Sequence, residues 1–248
     1  MAQSDPPRPD NLLLSRLGPD DWHLIARHLV PHQLAAGHVL QKSGEDVVQT
    51  WFPCGGASAG FRAWIDGDGR TVDVAAIGRE GAIGGIVSNG HIPAYATTEV
   101  RDSGLFLAIR TAQLERAKLD SLALRHWVAR YSDCLVAQLL QNSACNAAHT
   151  IRQRAARWLL AAAARGDACE VPLTQEQFAA ILGVGRTFVT RTVQDLRQAG
   201  LIETRRGVFV LRDVDGLQAV SCDCSDHIAA HFETVMAGVY PAAQAPEC

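Results

Sequence analysis

The stretch from Leu173 to Leu211 constrains the fold of this chain more than any other part of the sequence. Within it, Thr174 is followed three residues later by Gln177, and such a pair forms a capping box that satisfies backbone donors left free at a helix start. Apolar residues at helical spacing follow until Gly183, whose permissive backbone allows a sharp turn between two helices. The sequence therefore predicts one helix from about position 175 and a second from about position 186.

The second helix has one apolar and one polar face. Val189, Val193 and Leu196 are spaced by four and three residues, which predicts the buried face. Gly200 then ends the helix as a C′ glycine, and a two-stranded hairpin, the wing, is predicted after it with two arginines at its tip. The polar residues on the remaining faces and at the wing tip form a candidate contact surface: Thr174, Gln175, Arg186, Thr187, Thr190, Arg191, Gln194, Arg205 and Arg206.

Basic charge is concentrated on the same segment. The whole chain has a formal net charge of −3. Residues 150–212, however, contain ten arginines and five acidic residues, whereas residues 213–248 contain six acidic residues and no basic one. Because cations that neutralise DNA phosphates release condensed counterions, a basic segment of this kind is the expected footprint of DNA contact. Double-stranded DNA is therefore the predicted partner.

The composition is that of an ordinary soluble protein. With 248 residues, 48% of them hydrophobic and 20% charged, the chain is long enough for two compact domains. No run of eighteen uncharged apolar residues occurs, and MAQSDPPRPD lacks the basic and apolar regions of a signal peptide. We expect a cytoplasmic protein with no membrane partner. Its seven cysteines, an odd number without an export signal, indicate reduced thiols rather than a disulfide framework.

Short apolar runs separated by glycines dominate the N-terminal part. Residues 12–30 have helical periodicity, with Pro19 in a first turn. Residues 31–109 show the pattern typical of a small β-barrel or β-roll. Asp66-Gly67-Asp68-Gly69 predicts a hairpin turn within it, because aspartate and glycine tolerate positive φ angles. We expect a sensor-like domain over residues 11–110.

A long helix is predicted over about residues 120–148, after a short one over 111–119 and before another over 151–165. Two interpretations of its apolar stripe stay open: it packs on its own domain, or it pairs with a second copy and makes a homodimer. The predicted domains are then residues 11–110, residues 111–149 with the dimerisation helix, the winged helix-turn-helix over 150–214, and an acidic extension over 215–248. The stripe consists of Leu124, Trp127, Val128, Tyr131, Leu135 and Leu139.

A glycine-punctuated β-roll, a long helix and then LTQEQFAAILGVGRTFVTRTVQDLRQAGLIETRRG resemble the Crp/Fnr family of the cyclic-AMP receptor protein and the fumarate-nitrate regulator. The block NSACNAAHTIRQRAARWLL and the later SCDC resemble a subgroup of bacterial regulators within it. The resemblance implies an α+β fold with an N-terminal cyclic-nucleotide-binding-like β-roll, a long dimerisation helix and a C-terminal winged helix-turn-helix.

The resemblance also implies a function. A homodimer would bind a pseudo-palindromic operator, with the recognition helix of about residues 186–199 in the major groove, and would act with RNA polymerase. Arg186 and Arg191 match arginines that contact bases in the family, and arginine to guanine is the commonest specific contact. Thr187 stands where the cyclic-AMP receptor protein has glutamate, so its operator sequence is not expected to carry over. Phosphate contacts are expected from Thr174, Gln175, Arg205 and Arg206.

The predicted β-roll departs from the cyclic-nucleotide binders of the family. Those proteins hold ribose and phosphate with a Gly-Glu pair and a later arginine, whereas this chain has Ile83-Gly84-Gly85-Ile86 and Pro93-Ala94-Tyr95-Ala96. A buried phosphate without a paired cation is costly, so we expect no tight binding of cyclic AMP. The N-terminal cysteine cluster of the iron–sulfur regulators is also missing, since only Cys54 precedes residue 134.

Four soft ligands are a further candidate site. Cys145 and His149 are four residues apart and share a helix face, and Cys222 and Cys224 follow the wing. If the fold brings them together, three thiolates and an imidazole suit tetrahedral zinc. Three interpretations stay open: a zinc site, a thiol redox switch, or ordinary buried cysteines.

The leading hypothesis is a sequence-specific DNA-binding regulator and not an enzyme. A metal- or redox-sensing regulator that uses Cys145, His149, Cys222 and Cys224 is the alternative. Two remoter ones are a hydrolase with Cys145 and His149 as nucleophile and base, and a ligand-binding module without DNA contact. Residues four apart on one helix rarely reach a shared cleft, which argues against the hydrolase. The basic charge of residues 150–212 argues against the ligand-binding module.

Overall fold

The computed structural model describes residues 7–65, 71–85, 90–166 and 169–240. The chain divides into two compact units, one made of residues 1–59, 77–137 and 229–248, the other of residues 60–76 and 138–228. The predicted hairpin turn at 66–69 and Ile86 lie outside the described residues. No helix in the described ranges has the length and apolar character that crossing a bilayer requires.

Within the described ranges, two short helices and seven strands come first. The helices are α1 (Leu12–Ser15) and α2 (Pro19–Ala26), and Pro19 is in the first turn of α2 as predicted. The strands are β1 (Val30–Leu34), β2 (Val39–Gln41), β3 (Gln49–Pro53), β4 (Ser58–Trp64), β5 (Thr71–Ile77), β6 (Thr97–Asp102) and β7 (Gly104–Arg110).

These strands form two antiparallel sheets in the region where a β-roll is predicted. One sheet has the order β1-β7-β3, and the other has the order β2-β6-β4-β5. In the first sheet the register places Val30 opposite Ala108 and Trp51 opposite the same residue from the other side. The short runs and frequent glycines of the sequence therefore correspond to short paired strands.

The helices α3 (Thr111–Asp120), α4 (Leu122–Ala148) and α5 (Ile151–Gly166) follow. They confirm the predicted short helix, long helix and third helix to within a few residues. The remaining elements are β8 (Glu170–Pro172), α6 (Gln175–Leu182), α7 (Arg186–Gln198), β9 (Ile202–Arg205), β10 (Val208–Leu211), α8 (Val214–Val220) and α9 (Cys224–Met236). A third sheet has the order β8-β10-β9, so the wing carries one strand more than predicted.

The first half of α4 is locked into the core of the first unit. Leu124, Trp127, Val128 and Tyr131 are buried there. The indole N–H of Trp127 donates to the carbonyl of Leu13 at 3.3 Å. The interpretation of the predicted stripe as one continuous surface for a second copy is therefore wrong for these four residues, because their own unit already covers them.

Part of the second half of α4 is exposed. Val136, Leu139 and Leu140 are 54%, 50% and 67% exposed, and their spacing of three and four residues places them close together on the helix. Of the predicted stripe, Leu139 is thus left for pairing of two copies, whereas Leu124, Trp127, Val128 and Tyr131 are not.

The second unit has a core of its own. Phe178 is fully buried at its centre, with its ring centroid 5.5 Å from that of Trp158 and 5.2 Å from that of Phe209. These three aromatic residues lie on α5, α6 and β10, so the ring of Phe178 packs three elements of the predicted winged helix-turn-helix against one another. Ala155 and Leu159 are also fully buried, as expected for the inward face of α5.

Candidate nucleic-acid interface and cysteine cluster

The start of α6 is set by the predicted capping box. The amide of Gln177 donates to Thr174 Oγ1 at 3.2 Å, and the amide of Thr174 donates to Gln177 Oε1 at 2.9 Å. Two otherwise free backbone donors are thus satisfied reciprocally. At the other end Gly183 has φ +64°, a left-handed conformation that glycine adopts without strain, and it turns the chain toward α7.

The two faces of α7 are those that its periodicity predicts. Val189, Val193 and Leu196 are buried, and α7 ends before Gly200, which has φ +74°. Thr192 is also buried, and its hydroxyl donates to the carbonyl of Phe188 at 3.0 Å, so this polar side chain is satisfied within the helix. The outer face of α7 carries the exposed Arg186, Thr187, Arg191 and Gln194.

Three arginines of the candidate set have unpaired charges. The guanidinium groups of Arg186, Arg191 and Arg206 are exposed and make no hydrogen bond or ion pair with the described part of the chain. Arg205 instead pairs with Glu170 at 3.1 Å, and both side chains are more than half exposed. An exposed ion pair contributes only about 0–1 kcal/mol, so a phosphate can replace Glu170 at little cost.

The threonine and glutamine members of the set also serve the domain itself. The Thr190 hydroxyl has one proton and two acceptors within reach, Gln175 Oε1 of α6 at 3.2 Å and the carbonyl of Arg186 in α7 at 3.0 Å. Thr174 is held in the capping box and is exposed. The structure thus places all nine predicted residues on α6, α7 and the wing, with Thr174, Gln175 and Thr190 held by internal contacts.

Phe188 is an exposed residue beside this surface that the sequence analysis did not include. It lies in α7 between Thr187 and the buried Val189, and it is 55% exposed. Aromatic and other apolar side chains on a recognition helix contact the methyl group of thymine. The available signal was an aromatic residue outside the inward spacing of Val189, Val193 and Leu196.

The four predicted soft ligands meet in one place within the second unit. One ligand atom from each of Cys145, His149, Cys222 and Cys224 lies within 4.8 Å of each of the others. Cys145 belongs to the last turn of α4, His149 follows that helix, Cys222 precedes α9 and Cys224 begins it. The three cysteines are buried and form a small cluster of their own, separate from the apolar core of the domain.

The contacts inside this cysteine cluster are short. The Sγ atoms of Cys145 and Cys222 are 3.7 Å apart, and Cys224 Sγ is 3.5 Å from His149 Nδ1. The side-chain amide of Gln141 donates to Cys224 Sγ at 3.2 Å. Burial raises the pKa of the Cys145 thiol to about 12, and the positive charge of Arg157 acts in the opposite direction. When no metal is bound, this environment favours the protonated thiol of Cys145 and not the activated thiolate nucleophile that a hydrolase would need.

In the first unit, the two glycines of the segment that corresponds to the Gly-Glu pair of the cyclic-nucleotide binders are tightly packed. Gly84 and Gly85 have φ +76° and +54°. A Cβ atom on Gly84 would lie 2.7 Å from the carbonyl oxygen of Gln49, and one on Gly85 would lie 2.8 Å from Thr50 Oγ1 and closer still to Thr111 Oγ1. A glutamate side chain at position 85 therefore has no room in this arrangement.

Comparisons with known proteins bear on both units. Residues 153–220 match a family model described as a Crp-like helix-turn-helix domain. No curated protein sequence matches the chain. Among solved structures, FixK2 from Bradyrhizobium japonicum is similar with a TM-score of 0.61 and 18% identity, over 78% of this chain and 98% of that one.

Two further solved structures are similar to this chain in fold. TTHB099, a Crp-family transcriptional regulator from Thermus thermophilus, has a TM-score of 0.63 and 21% identity, over 76% of this chain and 95% of that one. The c-di-GMP responsive global regulator CLP of Xanthomonas campestris has a TM-score of 0.63 and 14% identity, over 78% and 99%. The predicted fold class is confirmed: the chain has the fold of Crp/Fnr-family regulators, and its residues 153–220 form a Crp-like helix-turn-helix domain.

Proposed function

We propose that this protein is a sequence-specific DNA-binding transcription regulator that acts as a homodimer on a pseudo-palindromic operator. The observation that carries the proposal is the outer face of α7, where Arg186 and Arg191 have exposed, unpaired guanidinium groups within a Crp-like helix-turn-helix domain. The opposite face is anchored by Val189, Val193 and Leu196, so α7 is held rigidly with its arginines outward. Such a helix suits insertion into the major groove.

The candidate residues divide into two roles. Arg186 and Arg191 are proposed to contact bases, since a guanidinium group bonds guanine O6 and N7 in a bidentate manner. Arg205 and Arg206 at the wing, with Thr174 and Gln175 at the start of α6, are proposed to contact phosphates, which orient the domain without reading sequence. Thr187, Thr190 and Gln194 complete the surface.

The exposed part of α4 supports the dimer. Val136, Leu139 and Leu140 lie close together on that helix, and large apolar side chains left in water are a common mark of a protein interface. We expect the wild type to be a dimer by sedimentation equilibrium and the double variant Leu139→Glu, Leu140→Glu to be a monomer. Val48→Glu, at a residue that is 67% exposed outside α4, is the matched control and should remain a dimer. A dimeric double variant contradicts the proposed interface.

Selection of bound DNA from a random pool by the purified full-length protein tests the main proposal. We expect recovery of a two-fold symmetric site with half-sites about one helical turn apart. Recovery of no enriched sequence would refute sequence-specific binding.

Variants then test the two roles on the selected site. Arg191→Ala should lose about 1–3 kcal/mol of discrimination against a mutated base. Arg206→Ala should weaken specific and random DNA about equally and should reduce the slope of log K against log salt by about one for each phosphate that it no longer neutralises. Arg116→Ala removes the same charge from an exposed position on α3 and should change neither. Equal behaviour of Arg191→Ala and Arg206→Ala would contradict the division of roles.

Action on transcription and the absence of a cyclic-AMP requirement are also parts of the proposal. Contact with RNA polymerase predicts that the protein changes transcription in vitro from a promoter carrying the selected site. The packing around Gly85 and the lack of a cation in Pro93-Ala94-Tyr95-Ala96 support independence from cyclic AMP. Calorimetric titration with cyclic AMP should give no binding in the micromolar range, and DNA affinity should be unchanged by it.

A further inference from the structure

We propose that Cys145, His149, Cys222 and Cys224 bind one zinc ion that joins the two ends of the DNA-binding domain. Cys145 and His149 lie directly before residues 150–221, and Cys222 and Cys224 directly after them. The segment between the two pairs contains the whole Crp-like domain of residues 153–220. An ion held by both pairs would therefore close the domain at its entry and its exit.

The observed distances fit a tetrahedral ion. Two sulfur atoms that each lie about 2.3 Å from zinc at the tetrahedral angle are about 3.8 Å apart, and a sulfur and a nitrogen atom are about 3.6 Å apart. The pair Cys145 Sγ and Cys222 Sγ is separated by 3.7 Å, and Cys224 Sγ and His149 Nδ1 by 3.5 Å. Two edges of the coordination polyhedron are thus already formed, and both join the start of the domain to its end.

The other pairs of ligand atoms need to move only a little to reach tetrahedral distances. All four ligand atoms lie within 4.8 Å of one another, so shifts of about 1 Å bring each pair to a tetrahedral edge. The three cysteines are 0–6% exposed, and a fully protein-bound, closed tetrahedron is the arrangement of structural zinc sites. Cysteines buried only for packing belong in the apolar core, whereas these three are in contact with one another and apart from that core.

The surroundings of the cysteine cluster supply the charge and hydrogen bonds that zinc thiolates require. Three thiolates, a neutral imidazole and Zn²⁺ have a net charge of −1, and the positive charges of Arg154 and Arg157 act on the cluster. Gln141 donates its side-chain amide to Cys224 Sγ at 3.2 Å, a contact that orients a ligand and stabilises a thiolate. Cys224 is also the first residue of α9, where the helix dipole favours negative charge.

A cleft borders the site on one side. This cleft of about 480 Å³ beside α5 and α8 has Cys222 in its wall together with Arg157, Cys169, Gln218 and Asp226. Cys222 itself is only 6% exposed, and we expect zinc and chelators to approach it from this side. His149, which is only half-buried, is the second ligand within reach of water.

Metal content measured on untagged full-length protein tests the proposal, and it needs no DNA. We expect one zinc ion per chain in the wild type and in Cys169→Ser, whose exposed cysteine lies in the same unit but outside the cluster. Cys145→Ser and Cys222→Ser should lose the ion. His149→Gln and Gln141→Ala alter no buried cysteine, so they serve where a cysteine variant fails to fold. Gln141→Ala should bind zinc about 10–100-fold more weakly in competition with a chromophoric chelator.

The same samples distinguish zinc from the other chemistries. Cobalt substituted for zinc should show the intense charge-transfer absorption of thiolate ligands, and His149→Gln should change this spectrum. Wild-type protein without a bound metal, or with a disulfide between Cys145 and Cys222 by mass spectrometry of unreduced peptides, would overturn the proposal. One zinc ion retained by Cys145→Ser, Cys222→Ser and His149→Gln alike would place the metal elsewhere and would also overturn it.

Discussion

Two phenylalanines ten residues apart offer the most direct check of how the helix-turn-helix is built. Phe178 in α6 is fully buried between Trp158 and Phe209, whereas Phe188 in α7 is 55% exposed. Replacing each with alanine removes the same atoms from the same domain. The buried side chain should therefore determine stability, and the exposed one should affect only what the domain contacts.

The expected magnitudes follow from burial. A buried aromatic side chain removes at least about 150 Å² from water, worth roughly 4 kcal/mol at 25 cal/mol/Å². Each of its two ring contacts adds about 0.5–1.5 kcal/mol, part of which the remaining cavity wall retains. We expect Phe178→Ala to lower the free energy of unfolding of this domain by about 3–5 kcal/mol, the range measured for such substitutions.

Phe188→Ala should have a much smaller effect. About half of the side chain is already in water, so roughly 2 kcal/mol of transfer free energy is at stake. No cavity forms at the surface, and alanine gains about 0.5 kcal/mol of helix propensity over phenylalanine. We therefore expect a loss of about 1.5 kcal/mol or less. If the proposed DNA surface is correct, the same variant should bind the selected operator more weakly than the wild type.

Native-state hydrogen exchange is the appropriate assay because the chain has two units whose unfolding transitions can overlap. The slowest amides of α6 and α7 report the unfolding free energy of this domain alone. Urea unfolding followed by circular dichroism provides the comparison for the whole chain. Equal losses for the two variants, or a loss below about 1 kcal/mol for Phe178→Ala, would refute the assignment of the core.

Three further outcomes are expected. Thr174→Ala removes the capping box and should destabilise the domain by about 1 kcal/mol in the same exchange experiment. Gly85→Ala should destabilise the first unit by more than Gly37→Ala does, as measured by urea unfolding. Both glycines have positive φ, but an added Cβ atom would meet Thr50 and Thr111 at position 85 and open space at position 37. Burial raises the pKa of Cys54 to about 11, so alkylation of this thiol at pH 8 should be slow and should accelerate as the pH rises toward 11. The exposed Cys169 should react at once, and peptide mass spectrometry measures the alkylation of both residues.

Local signals in the sequence predicted the DNA-binding unit well. The capping box at Thr174, the left-handed turn at Gly183 and the inward face of α7 all depend on residues within one helix turn of each other. Contacts between residues so close in sequence can be predicted from the order of the residues alone. The exposure of Arg186 and Arg191 followed from the same periodicity.

What covers the apolar stripe on α4 could not be predicted from helical periodicity. Periodicity placed Leu124 and Leu139 on one apolar stripe of the helix, but it contains no information on what covers each part of that stripe. The structure buries Leu124 completely within its own unit and leaves Leu139 half exposed. The two residues differ in exposure because elements distant in sequence pack against one part of α4 and not against the other.

The cysteine cluster shows the same limit most clearly. The sequence by itself determined that Cys145 and His149 share a helix face, because a spacing of four residues is a local property of the α-helix. Only the tertiary structure decided that Cys222 Sγ lies 3.7 Å from Cys145 Sγ across 77 residues of sequence. The fold of the intervening domain returns the chain to the end of α4, and this closure depends on the packing of α5, α6, α7 and the wing together.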